Sequence, residues 1–271
     1  MDMKEVIRYS ILLVLLGSSC VVHNPEKSKN TDEPTLLLDS GADPVFVTSD
    51  RNGGWSNGGY YVHNNMWNSA RYNPCTETLY AWSFDKWYVV ARMNNNTGDG
   101  AVKTYPNVHK DYDRVPISSF SSISSTFAET SPHIGIYNFA YDIWINGIAT
   151  PDCTEIMIWN ENFNQTPGGS YIQDVTFGGR TYKIYKTANS GYVAFVPTAN
   201  FASGTLDLLE IMNWTIAKGW LSAKSTLNQI CFGVEIVSTD NIDATFHVTT
   251  FSIDTSLKTR DNWGQPRTPL R

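Results

Sequence analysis

Glycine and asparagine cut this chain into short runs. Gly53-Gly54, Asn57-Gly58-Gly59, Asn94-Asn95-Asn96-Thr97-Gly98, Pro167-Gly168-Gly169 and Gly178-Gly179 are turn signals. Between them lie stretches rich in aromatic and β-branched residues. They include Tyr60-Tyr61-Val62-His63, Leu79 to Phe84, Trp87 to Ala91, Tyr192 to Val196 and Ala244 to Thr249. Segments so short and so closely spaced fit the strands of a two-sheet sandwich or barrel. The expectation is an all-β fold from Pro44 to about Leu257. All-β domains of roughly 200–250 residues commonly form one unit, so a 271-residue chain does not demand two.

One stretch departs from this pattern. Leu206, Leu209, Met212 or Asn213, and Ile216 recur at three- and four-residue intervals, which predicts a helix over 205–219. Thr205 suits its cap, Asp207 the positive end of its dipole, and Lys218-Gly219 its finish. It is expected to pack against the outside of the sandwich.

The first residues read as an export signal. Lys4 and Arg8 precede the apolar run Ile11 to Leu16, which is too short to span a bilayer. Gly17-Ser18-Ser19-Cys20 follows and resembles a lipobox, with Gly17 where leucine is usual. The expectation is lipidation at Cys20, with ordinary signal cleavage nearby as the alternative. Residues 1–20 would then be the signal peptide and 21–42 a polar flexible linker. The folded domain would be 43–258, with a loose tail at 259–271. Export would place the protein at an outer membrane or cell surface, anchored by lipid, or otherwise secreted.

Cys75, Cys153 and Cys231 remain, so at least one thiol stays free, and no Cys-x-x-Cys pair exists. The five histidines are scattered, and no spacing predicts a metal site. A net charge of −6 argues against nucleic acid, which is held by clustered Lys and Arg. The 9 Trp, 14 Tyr and 12 Phe fit either core filling or stacking on sugar rings.

Two strand-like segments each carry one glutamate among apolar residues, Thr154 to Trp159 and Phe232 to Val237. Successive strand side chains alternate between faces. Ile156 and Ile158 therefore oppose Glu155, Met157 and Trp159, while Phe232, Val234 and Ile236 oppose Gly233 and Glu235. The same alternation groups Asn138, Asp142 and Trp144 against Phe139, Tyr141 and Ile143. It also sets His63, Asn65 and Trp67 against Val62, Asn64 and Met66. Faces mixing Asn, Asp, Glu, Trp and Met suit a carbohydrate cleft, where a pair of carboxylates can cleave a glycosidic bond. In that reading Asp142 would orient the nucleophile by sharing a proton. Glu161 competes with Glu155, but Asn160-Glu161-Asn162 reads as an exposed turn. A lone strand glutamate is more often a surface residue than a catalyst, so alternation alone leaves both readings open.

Several segments, taken in order, resemble glycoside hydrolase family 12, a family of β-1,4-glucanases and xyloglucanases. They are Asn64-Asn65-Met66-Trp67, Lys103 to Val108, Tyr137 to Trp144, Glu155 to Trp159, Gly178 to Tyr182 and Gly233-Val234-Glu235. The resemblance covers roughly Phe46 to Ile253. It implies a jelly-roll β-sandwich of two curved antiparallel sheets with a single packed helix. It also implies Glu155 as nucleophile, Glu235 as acid/base and Asp142 as the nucleophile's hydrogen-bond partner. Asn65, Trp67, Asn138, Met157 and Trp159 match the family's glucosyl contacts, with Trp67 as a stacking platform. The chain departs from the pattern at Val234 and Ile236-Val237, where the family has Phe before the acid/base and Pro-Trp after it. The family's disulfide partner for Cys75 would fall near Thr48, so that bridge is expected to be missing. Cys153 and Cys231 read as small packing residues.

The resulting expectation is a retaining endo-β-1,4-glucanase that needs no cofactor and no metal. Its partners would be a β-glucan substrate and a membrane, through the anchor, with the protein a monomer. Xyloglucan- or mixed-linkage-specific hydrolysis, and a catalytically silent glucan-binding lipoprotein, are the alternatives.

Overall fold

The computed structural model describes residues 42–188 and 191–259. The proposed signal, Cys20 and nearly all of the linker and tail lie outside the described residues. Two sheets face each other across a shared interior. The smaller has six strands, in the order β1 (Phe46–Thr48), β4 (Thr76–Ser83), β5 (Lys86–Arg92), β15 (Ala244–Leu257), β7 (Phe120–Thr130) and β13 (Ser203–Asp207). The larger has nine. Its order is β10 (Ser170–Phe177), β11 (Arg180–Lys186), β12 (Tyr192–Pro197), β9 (Thr154–Phe163), β8 (Ile136–Ile145), β14 (Thr226–Ser238), β6 (Asn107–Pro116), β3 (Tyr60–His63) and β2 (Gly54–Asn57). Neighbours pair antiparallel except β12 and β9, which run parallel.

Alternation sorts the side chains as the sequence requires. Val62, Phe139, Tyr141, Ile143, Ile156, Ile158, Phe232, Val234 and Ile236 all enter one core with Leu79, Val89, Phe127 and Phe246 of the smaller sheet. Removing that apolar surface from water is the main force holding the sheets together.

The helix α1 spans Leu208–Ala217, shorter than predicted and starting later. Asp207, not Thr205, is its cap, accepting a hydrogen bond from the Glu210 amide at 2.9 Å. Thr205 and Leu206 belong to β13, where pairing with Thr126 and Ser125 of β7 outweighs their helical spacing. The helix packs one face against the sandwich and leaves Glu210, Asn213 and Ala217 exposed on the other. Leu208, Ile211 and Met212 are buried in the main core, and Trp214 meets Phe177 and Phe195 edge-on.

Candidate active site

Glu155, Asp142 and Glu235 lie on β9, β8 and β14, adjacent strands at the middle of the larger sheet. Their apolar neighbours fill the core, so all three carboxylates project from the opposite, open face. Asp142 stands across from Met157 on one side and Cys231 on the other, and Glu235 across from Asn138. Gly233 lets a second segment press close to β14. A Cβ there would lie 2.0 Å from the Pro106 carbonyl oxygen. The Val234 and Ile236 amides bond the Pro106 and Thr104 carbonyls at 3.2 and 3.1 Å, which fixes the backbone on either side of Glu235.

Burial dominates the electrostatics of these acids. Glu155 and Glu235 are only half-exposed, and Asp142 is buried. Desolvation, with the negative charge of Glu235 adding to it, pushes Glu155 up to about 8. Glu235 rises to about 7 by desolvation, held back by a 2.7 Å hydrogen bond from Asn138 Nδ2 to its Oε2. Asp142 is raised well above the usual range by burial and by both glutamates, against a hydrogen bond from Trp144. At neutral pH the three acids therefore hold protons among themselves, and three full charges do not coexist.

The rest of the face is polar and partly unfilled. Asn138 Oδ1, Asp142 Oδ1 and Trp159 Nε1 are buried without a hydrogen-bond partner. Orphaned polar atoms beside an acid cluster suit a ligand carrying hydroxyls. Trp67 is 40% exposed and free to stack on a sugar face. Met157 and Trp159 share the carboxylate face but are 2% and 1% exposed, so they form its floor. Tyr192 packs against that floor, its hydroxyl donating to Met157 Sδ at 3.4 Å. Asn65 follows the end of β3 in a left-handed conformation (φ 42°). Its Nδ2 donates to the Tyr105 carbonyl at 3.0 Å, so Asn65 braces the segment beside Glu235.

Tyr192 and Tyr105 join this site without a signal in the sequence pattern. Tyr192 stands opposite Glu155 only through the parallel β12–β9 pairing, and Tyr105 precedes a strand. The Tyr105 hydroxyl donates to the Ala140 carbonyl at 3.1 Å, and its own pKa is raised by burial beside Cys231 and the three acids. Cys75, Cys153 and Cys231 are all free thiols. Cys231 is buried and donates to Gln229 Oε1 at 3.0 Å, and burial raises its pKa well above the ordinary thiol value. Among the described residues no group of His, Cys, Asp and Glu has the arrangement to hold a metal.

Glu161 is not in an exposed turn. β9 continues through it, and a bulge at Asn160 shifts the register so that Glu161 stands opposite Phe139. That turns it inward, away from the open face. It is 4% exposed and accepts hydrogen bonds from Ser131 Oγ and Tyr137 Oη at 2.9 and 3.0 Å, with His133 Nε2 3.1 Å from the same oxygen. Glu129 of β7 shares a hydrogen bond with it and is raised to about 10 by burial and by the Glu161 charge.

The open face of the β-sandwich thus gathers three recessed carboxylates on adjacent strands. The chain belongs to glycosyl hydrolase family 12, whose sequence profile matches residues 58–256. It is 29% identical to a xyloglucan-specific endo-β-1,4-glucanase A of Emericella nidulans, over 82% of this chain and 98% of that one. It is 27% identical to endoglucanase S of Pectobacterium parmentieri, over 70% and 81%. A family 12 xyloglucanase from Bacillus licheniformis superposes with a TM-score of 0.67 at 25% identity, covering 78% of this chain and all of that one. The fold is the family's jelly roll.

Proposed function

We propose that this protein hydrolyses β-1,4-glucosidic bonds inside cellulose-type glucans, with retention of configuration. The observation that carries the reading is the cluster of Glu155, Asp142 and Glu235 on adjacent strands of the open face. Glu155 attacks the anomeric carbon while Glu235 gives its proton to the departing glycosidic oxygen. Glu235 then takes a proton from water, and the hydroxide formed displaces Glu155 from the anomeric carbon. Asp142, tied to Trp144, shares a proton with Glu155 and fixes its orientation.

Burial raises both Glu155 and Glu235, so each can carry a proton near neutral pH, and glucan decides which of them does. A glycosidic oxygen beside Glu235 accepts a hydrogen bond only from the protonated acid, and so favours that form. Xyloglucan is the second reading, favoured by the named activity of the Emericella nidulans relative. Lipid anchoring through Cys20, export and the division at 43–258 belong to the same proposal.

The test is reducing-end release from carboxymethylcellulose, xyloglucan, mixed-linkage β-glucan and xylan. Release from a β-glucan is expected, with Glu155→Gln and Glu235→Gln each losing on the order of 10³-fold or more while melting like the parent. Near-parental activity in either variant would refute the assignment.

A further inference from the structure

A second cluster on the carboxylate face takes no part in this chemistry. Reading straight across the larger sheet, Asp142 stands opposite Cys231, Cys231 opposite His109, His109 opposite Tyr61, and Tyr61 opposite Ser56. Alternation therefore puts Tyr61, His109 and Ser56 on the same face as the acids. Three strand spacings separate Asp142 from Tyr61, about 14 Å. His63, one alternation from Tyr61, completes a cluster of rings. Tyr61 lies 5.5 Å from His63 and 5.3 Å from His109, centroid to centroid, and the two imidazoles are 6.1 Å apart. Beside them opens a cavity of about 460 Å³ lined by Ser56, Gly59, Tyr60, Tyr61, His109 and Asp111.

We propose that Tyr61, His63 and His109 form a distal subsite that holds a neutral pyranose of the glucan, outside the sugars at the cleavage point. The inference rests on the proposed glucan reading and adds to it a particular second contact. Ring faces beside hydroxyl and carboxylate acceptors match a pyranose, which offers C–H faces and equatorial hydroxyls together. His109 Nδ1 is tied to Asn107 Oδ1 at 2.8 Å, which fixes the ring. Asp111 Oδ1 accepts from Gln229 Nε2 at 2.7 Å, leaving its other oxygen for a sugar hydroxyl. Burial lowers both imidazoles, His63 to about 4, so the cluster is uncharged at neutral pH. Asp111, which lines the cavity, disfavours a uronate here by charge.

The pyranose can come from the glucan backbone or from a branch on it, and substrate length and branching separate the two. Tyr61→Ala and Tyr61→Leu would be assayed against cellotriose, cellohexaose and a branched xyloglucan oligosaccharide. The expected result is kcat/KM within about twofold of the parent on cellotriose and lower by about three- to tenfold on a longer substrate, the size of one aromatic platform. A loss on cellohexaose assigns a backbone sugar, and a loss on the branched substrate alone assigns a branch sugar. Equal loss at every length, or no loss at any, overturns the subsite. If the parent protein hydrolyses no glucan, the function proposed above fails separately. Calorimetric titration with cellohexaose and the branched oligosaccharide then decides the subsite. Weaker binding of either by both Tyr61 variants supports it, and unchanged affinity for both overturns it.

Discussion

Asn138 tunes the charge on Glu235. Burial raises the acid, and the 2.7 Å hydrogen bond from Asn138 Nδ2 lowers it again by favouring the carboxylate. Removing the amide must therefore raise the Glu235 pKa further. Since the proposed first step uses protonated Glu235, Asn138→Ala should move the alkaline limb of kcat/KM to higher pH while lowering the rate at the optimum. A pH–rate profile checks this, and an unmoved or acid-shifted limb would contradict it. Glu155, Asp142 and Glu235 were legible in the sequence because each interrupts an apolar alternation that burial enforces. Tyr192 and Tyr105 were not, since pairing between distant strands brings them to the site. The bracing role of Asn65 was hidden too, because its left-handed backbone ends the strand pattern.

The bulge in β9 has a consequence of its own at the level of elements. By turning Glu161 inward it places two carboxyls, Glu129 and Glu161, between the sheets with a hydrogen bond shared between them. Glu129 is raised from 4.5 to about 10 in the folded protein. Its contribution to stability is therefore complete below about 4.5 and is lost as pH rises toward about 10. Glu129→Gln keeps the shape without the titration. Its Tm should fall less than the parent's between neutral pH and pH about 10, with each kcal/mol worth roughly 2–4 °C in a domain this size. Parallel pH dependence in the two proteins would remove the pair from the account. The sequence could not reveal this pair. A one-residue bulge leaves composition unchanged but reverses which face every later side chain takes. The helix start was misplaced for a related reason: spacing from Leu206 onward is helical, yet the first residues find strand partners on β7.

Across the whole molecule the division of labour is simple. The six-stranded sheet and α1 seal the apolar side of the nine-stranded sheet, so its other face is left for polar work. The all-β class and the one α-helix of the described residues were legible because turn residues and apolar periodicity act locally. The reach of the open face was not, because it depends on the order in which nine strands pair. The carboxylate trio is central to that face, and the reaction proposed for it fixes the stereochemistry of the product. The most direct measurement is time-resolved proton NMR of the new reducing end released from a soluble oligosaccharide of the preferred glucan. A β-anomer appearing first, then relaxing to the equilibrium mixture, is the outcome expected of nucleophilic Glu155. An α-anomer appearing first would mean direct attack by water and would contradict the assignment of Glu155.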